Sequence, residues 1–330
     1  MVLRRPGRQR SQASGVVLVS FCNATASPGS SLAACDVSTG HVRVLPLPLE
    51  PEDEGATGIA LGAGGTTFVA LPGSRRIVQL DRDLKVQSWH QHDTLLDLHS
   101  LAVVADTLYA VACGTDSVVR YDTRNLHKGP EAAHPVTDSG TDTVHLNSLC
   151  HHDGRVLVTT FGEQWRTHPP DHRGGSVVGL DGLDVVSSAI RHPHSVTSTG
   201  DTLYVLGSGT GTIEQVLAGG DRALCAHYPG YVRGLAVCPE GAVVGVSGRR
   251  RRSRGLGTLN TDESTFEERC LILRFDATWN LSGTVDLSWL GREIYDIRLA
   301  PPGTPPPTAA DTLEAAKGRI TDLERWLAGL

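Results

Sequence analysis

Methionine occurs once in the 330 residues, and aromatic residues make up only 5%. With 37 glycines and 18 prolines beside them, that composition argues against a helical bundle and for many short strands joined by turns. No run approaches the roughly 18 apolar residues that a membrane-crossing helix needs, so no membrane partner is expected. No excess of positive charge exists either. The net charge is −6 and the isoelectric point about 6.1, which leaves no overall footprint for nucleic acid. Several chemical signatures are missing. There is no HExxH zinc motif, no GxSxG nucleophile elbow and no phosphate-cradling glycine loop opening a helix. Gly207-Ser208-Gly209-Thr210-Gly211 lies between two strand-like runs and reads as a strand turn, so no nucleotide cofactor is expected.

The seven cysteines form no CxxC pair and sit mostly in strand-like runs, as Cys113 does in Leu108–Cys113. They read as reduced, buried small residues of a cytoplasmic protein. The basic start, Arg4 to Arg10, resembles the head of an export signal. The apolar stretch behind it, Val16–Val19, is far shorter than the ~7–15 residues such a signal requires. Residues 1–14 are therefore expected to be a disordered basic tail.

What is present is a repeat. A polar residue, a small one, an aliphatic one and a fourth, often Ala, recur as Thr57-Gly58-Ile59-Ala60, His99-Ser100-Leu101-Ala102 and Asn147-Ser148-Leu149-Cys150. The later copies are His194-Ser195-Val196-Thr197, Arg233-Gly234-Leu235-Ala236 and, more weakly, Tyr295-Asp296-Ile297-Arg298. Each copy is followed by a turn and a second apolar strand. The intervals are 42, 48, 47, 39 and 62 residues, the spacing of β-propeller blades. Six copies predict an all-β, six-bladed propeller over residues 15–300. The strand near 294–299 closes the ring in one blade with the N-terminal strands Val16–Cys22, Ser31–Cys35 and His41–Leu45. A β-sandwich with a second domain is the competing architecture, but it leaves the repeat unexplained. Residues 301–310 read as a proline-rich linker. Residues 311–330 read as a helix capped by Thr308 or Asp311, either packed on the rim or binding a protein partner.

Stacking the copies places a polar layer at one end of every inner strand. The first positions are Thr57, His99, Asn147, His194, Arg233 and Tyr295. Two residues earlier stand Gly55, Asp97, His145, His192, Tyr231 and Glu293. Side chains two apart share a strand face. The third positions are aliphatic throughout, so a polar mouth sits above a core layer. That mouth reads either as a pocket for a small molecule or as a structural plug of polar contacts.

These motifs carry a resemblance. His145-Leu146-Asn147-Ser148-Leu149, Pro193-His194-Ser195, Pro229 to Ala236 and Glu293-Ile294-Tyr295-Asp296 are similar to the motifs of a family of bacterial conserved hypothetical proteins. The family's members are six-bladed propellers, some joined to tetratricopeptide repeats. Asp97-Leu98-His99-Ser100 is similar to its Asp-x-His-Asp run, with Ser100 departing from the last Asp. The resemblance covers roughly residues 55–300 and implies the fold but no reaction. More distantly the architecture is similar to gluconolactonase and strictosidine-synthase propellers, which are enzymes.

Two functions are kept open: an enzyme acting on a small organic molecule at the channel mouth, and a non-catalytic propeller that binds a ligand or protein. The enzyme reading, of lyase, cyclase, isomerase or hydrolase type, assigns acid–base or anion-holding work to His145, His194, Arg233 and Glu293. It assigns substrate binding to Asn147, Trp165, Arg166, Tyr231, Tyr295 and Asp296. Equally open is a divalent metal held by His99, His145, His194 and Glu293. The loop carrying Trp165 and Arg166 is either a lid or plain surface. The arginine run at Arg249–Arg254 is either a solvated loop or an anion contact.

Overall fold

The computed structural model describes residues 15–22, 31–162, 174–247 and 269–328. The basic tail, Trp165, Arg166 and the arginine run at 249–254 lie outside the described residues.

Six four-stranded antiparallel sheets form, each built from consecutive strands except the one that closes the ring. The innermost strands are Ile59–Leu61, Leu98–Val104, Leu146–His152, Pro193–Thr199, Tyr231–Cys238 and Glu293–Leu299. The closing sheet pairs Glu293–Leu299 with Val16–Cys22, then Leu32–Asp36, then Val42–Val44, with Val19 opposite Ile297. Taking one blade from both chain ends is the expected closure. It pairs an edge of the first strand that would otherwise stay open.

The repeat has a physical cause at each position. The third residues, Ile59, Leu101, Leu149, Val196, Leu235 and Ile297, are all buried, each in a different one of six apolar clusters, so every blade carries an aliphatic layer at that level. The second residues are small or hydrogen-bonding because neighbouring inner strands converge there. A Cβ on Gly58 would lie 2.6 Å from Leu101 N, and one on Gly234 2.6 Å from Ile297 N. Where a side chain is present it reaches the next blade. Ser148 Oγ accepts from Val196 N at 3.0 Å, and Ser195 Oγ accepts from Gly234 N at 2.8 Å. Asp296 Oδ2 accepts from Ile59 N at 3.0 Å across the ring closure. Bulges interrupt pairing between Leu98 and Leu101, Leu146 and Leu149, His194 and Thr197, and Arg233 and Leu235. They turn the first-position side chains towards the mouth while the strand beyond continues into the core.

The C-terminal helix runs Ala309–Ala328. Both cap candidates act together. Thr308 Oγ1 accepts from Asp311 N at 3.2 Å, and Asp311 Oδ2 accepts from Thr308 N at 2.8 Å, a reciprocal capping box. Thr312 Oγ1 ties the helix to the outer strand by accepting from Val42 N at 2.9 Å. No helix of the described residues is long and apolar enough to cross a membrane. No disulfide joins the seven cysteines, and Cys22, Cys35, Cys113, Cys150 and Cys270 are buried.

Candidate functional site

Four first-position side chains, His99, His194, Arg233 and Tyr295, join His145, Tyr231 and Phe161 in a closed circuit of ring contacts at the channel mouth. His99 and His145 lie edge to face at 5.0 Å, and His145 meets Phe161 at 4.7 Å. Phe161 meets His194 at 5.3 Å and stacks on His192 at 4.8 Å. His194 meets Tyr231 at 5.5 Å. The Arg233 guanidinium lies 5.0 Å over both Tyr231 and Tyr295, and Tyr295 returns to His99 at 5.7 Å. Cation–π contacts of this kind gain strength when desolvated.

Arg233 is 3% exposed and His194 1%. Arg233 Nε donates to His194 Nε2 at 3.1 Å, and its Nη1 lies 3.6 Å from Glu293 Oε2. Arginine has donors only, so His194 Nε2 is the unprotonated nitrogen. Its Nδ1–H then points at the His192 carbonyl, 2.9 Å away, and at Ser208 Oγ, 2.8 Å away. His194 is thus held neutral in one tautomer and holds Arg233 in turn. Its lone pair is already taken by the guanidinium.

Tyr295 donates its hydroxyl to Asn147 Oδ1 at 3.5 Å. Burial holds that hydroxyl well above the usual tyrosine range, so it stays a donor. Asn147 is 1% exposed, and its Nδ2 has no hydrogen-bond partner among the described residues. His99 Nδ1 donates to the Asp97 carbonyl at 2.9 Å, leaving Nε2 unprotonated. Burial is the main cause that pushes His99 below its ordinary value. His145 and Arg233 add to the effect, and Asp97 opposes it. His99 is therefore neutral near pH 7.

Beside His99 and His145 lies a group the sequence reading missed. Cys113 Sγ is 3.2 Å from His145 Nδ1 and 3.6 Å from Asp142 Oδ1, and both Asp142 oxygens are 3.3 Å from His145 Nδ1. Burial first, then the Asp142 carboxylate, push the Cys113 thiol far up. Cys113 reads in sequence as core, and Phe161 has no motif around it. The signal was the blade itself. Each second strand ends beside the start of the first, as where Ala112 pairs with Leu98 and Thr160 with Leu146. Stacking those ends would have brought Cys113, Phe161 and Ser208 into the list.

Two of the residues singled out in the sequence have partners that the repeat does not show. Asp296 does not face the mouth. Its Oδ2 accepts from Ile59 N and pairs with Arg298 Nε at 3.2 Å, and its Oδ1 accepts from Ile297 N at 2.9 Å. It is the sixth copy of the repeat's second position, and its carboxylate joins one blade to the next. The foreseen metal set also divides. Among the described residues, His99 and His145 converge with Cys113, while His194 and Glu293 face Arg233 instead.

The pattern of one protein family, described as a domain of unknown function (DUF4915), matches residues 78–308, more than half of the chain. A search of curated proteins gave no match. Similar solved structures include a protein of unknown function from Bacteroides caccae. It is 12% identical with a TM-score of 0.60, covering 86% of this chain and 97% of that one. A nidogen/laminin complex chain is 11% identical with a TM-score of 0.60, covering 86% and 98%. A luciferin-regenerating enzyme is 13% identical with a TM-score of 0.52, covering 70% and 76%. At these identities the likeness establishes the fold alone, and the same fold occurs in an enzyme and in a nidogen/laminin complex.

Proposed function

The chain belongs to the DUF4915 family, whose description carries no activity, and we propose from the site itself that it is an enzyme acting on a small, oxygen-rich or anionic organic molecule at the channel mouth. One observation carries this reading. Asn147 Nδ2 is a buried donor without a partner among the described residues, on a side chain that accepts from the Tyr295 hydroxyl. Leaving such a donor unsatisfied costs about 1–3 kcal/mol, which a ligand oxygen would remove. Arg233, desolvated between two tyrosines, supplies the positive charge that a carboxylate or phosphate needs. His99, with Nδ1–H given to the Asp97 carbonyl, is the group suited to accept a proton at Nε2 as long as no metal ion occupies that nitrogen. His194 is a positioning residue for Arg233. Lyase, cyclase, isomerase and hydrolase outcomes share this machinery.

The test is a thermal-shift screen of the full-length chain against small carboxylates, sugar phosphates and lactones. At least one should raise the unfolding midpoint, and Asn147→Ala should abolish that rise while remaining folded. A panel without any shift would count against a small-molecule site. A second reading, a protein partner on the C-terminal helix, is favoured by one feature. Leu313 and Ile320, seven residues apart, are 58% and 57% exposed.

A further inference from the structure

We propose that Cys113, His145, Asp142 and His99 form a binding site for one zinc-class divalent cation at the lip of the channel. Tetrahedral zinc holds nitrogen and oxygen at about 2.0–2.2 Å and sulfur at about 2.3 Å, which puts ligand atoms roughly 3.3–3.7 Å apart. Cys113 Sγ, His145 Nδ1 and Asp142 Oδ1 already form a triangle with edges of 3.2, 3.3 and 3.6 Å. A ring nitrogen of His99 comes within 4.8 Å of the ligand atoms of Cys113 and His145. The Asp97 carboxylate lies equally near those of Cys113 and Asp142.

The donor set selects the metal. Thiolate and imidazole favour zinc or cobalt over calcium and magnesium, which take oxygen. One thiolate and one carboxylate balance the charge of the ion. The surroundings are those of a metal ligand shell. His99 is oriented by its Nδ1–H to the Asp97 carbonyl, and the Phe161 and Tyr295 rings wall the two imidazoles. A cysteine nucleophile activated by histidine and aspartate fits less well. That arrangement places thiol and carboxylate on opposite ring nitrogens, whereas here both meet His145 Nδ1. On binding, the Cys113 sulfur loses its proton to solvent and its lone pair forms the bond to the metal. No electron is transferred.

The assignment does not depend on the enzyme reading, because binding is measured without a substrate. Full-length protein stripped with a chelator is titrated with Co²⁺. One equivalent should give tetrahedral d–d bands and a thiolate-to-cobalt charge-transfer band, both erased by Zn²⁺. Cys113→Ser should remove the charge-transfer band. Cys113→Ser and Asp142→Asn should each weaken binding by at least about 100-fold, at the upper end of what outer-shell partners cost. Cys225→Ser should change nothing. Should a variant fail to fold, X-ray absorption of the zinc-loaded wild type decides, with one sulfur and three nitrogen or oxygen neighbours expected. No saturable binding, a shell without sulfur or with several, or a folded Cys113→Ser protein with unchanged affinity would overturn the site.

Discussion

Arg233 donates through Nε to His194 Nε2 at 3.1 Å, inside a ring where neither side chain reaches bulk water. This bond makes the two residues one unit. A first-position histidine and arginine seen only in sequence look like separate catalytic groups at an open mouth. Buried together, they carry stability as well.

The first prediction follows from that burial. His194→Ala leaves the Arg233 Nε–H without its acceptor and should destabilise the chain by about 1–3 kcal/mol in urea unfolding. Arg233→Ala should cost more, about 3–5 kcal/mol, because Glu293 then loses the guanidinium charge 3.6 Å away. Costs below about 0.5 kcal/mol, the size of an ordinary surface substitution, would mean the unit is looser than its hydrogen bonds imply.

Asp296 gives a contrasting case. Asp296→Ala strips the acceptors from Ile59 N and Ile297 N at the ring closure. It should lower stability by about 2–5 kcal/mol, comparable to Leu149→Ala in the aliphatic layer. Cobalt affinity should stay within a few-fold of wild type in both. A selective loss of metal binding in Asp296→Ala at unchanged stability would return Asp296 to the mouth.

A pH effect is expected where the blade that begins at Ile59–Leu61 meets the one that begins at Leu98–Val104. His90 packs against Tyr121, His92 and His127, and its Nε2 is buried without a partner among the described residues. Burial first, then the charges of His92 and His127, lower its pKa. The unfolded chain therefore binds the proton more readily than the native one, so stability rises with pH. The contribution is complete above about 6.5, the ordinary histidine value, and is lost as pH falls below it towards the lowered native value. His90→Phe should flatten the fall in unfolding free energy as pH drops below about 6.5. An identical slope in that variant would assign the acid sensitivity elsewhere.

Thr308→Ala removes one half of the capping box at the start of the C-terminal helix. The loss should be about 0.5–2 kcal/mol of local helix stability. Faster amide exchange over residues 309–313, with the blades unaffected, is the expected signature. Global destabilisation would instead mean that the helix is part of the propeller's cooperative unit.

Blade number and the aliphatic layer were legible in the sequence because each is local, and the closure of Glu293–Leu299 on Val16–Cys22 followed from the count of repeats. A strand buries its third position whichever blade it belongs to, so Ile59, Leu101, Leu149, Val196, Leu235 and Ile297 repeat the same residue class. The polar first positions were legible for the same reason. Three things were decided only by tertiary structure. Asp296 turned from the mouth because the next inner strand presents Ile59 N there. His194 was committed to Arg233, from the neighbouring blade, by a bond whose direction depends on arginine having no acceptor. Cys113 and Asp142, the end of one strand and the loop entering another blade, met at His145. Repeat periodicity records what every blade needs in order to pack. The pairings that make one mouth chemically distinct occur once each, between chain segments far apart, and leave no period to read.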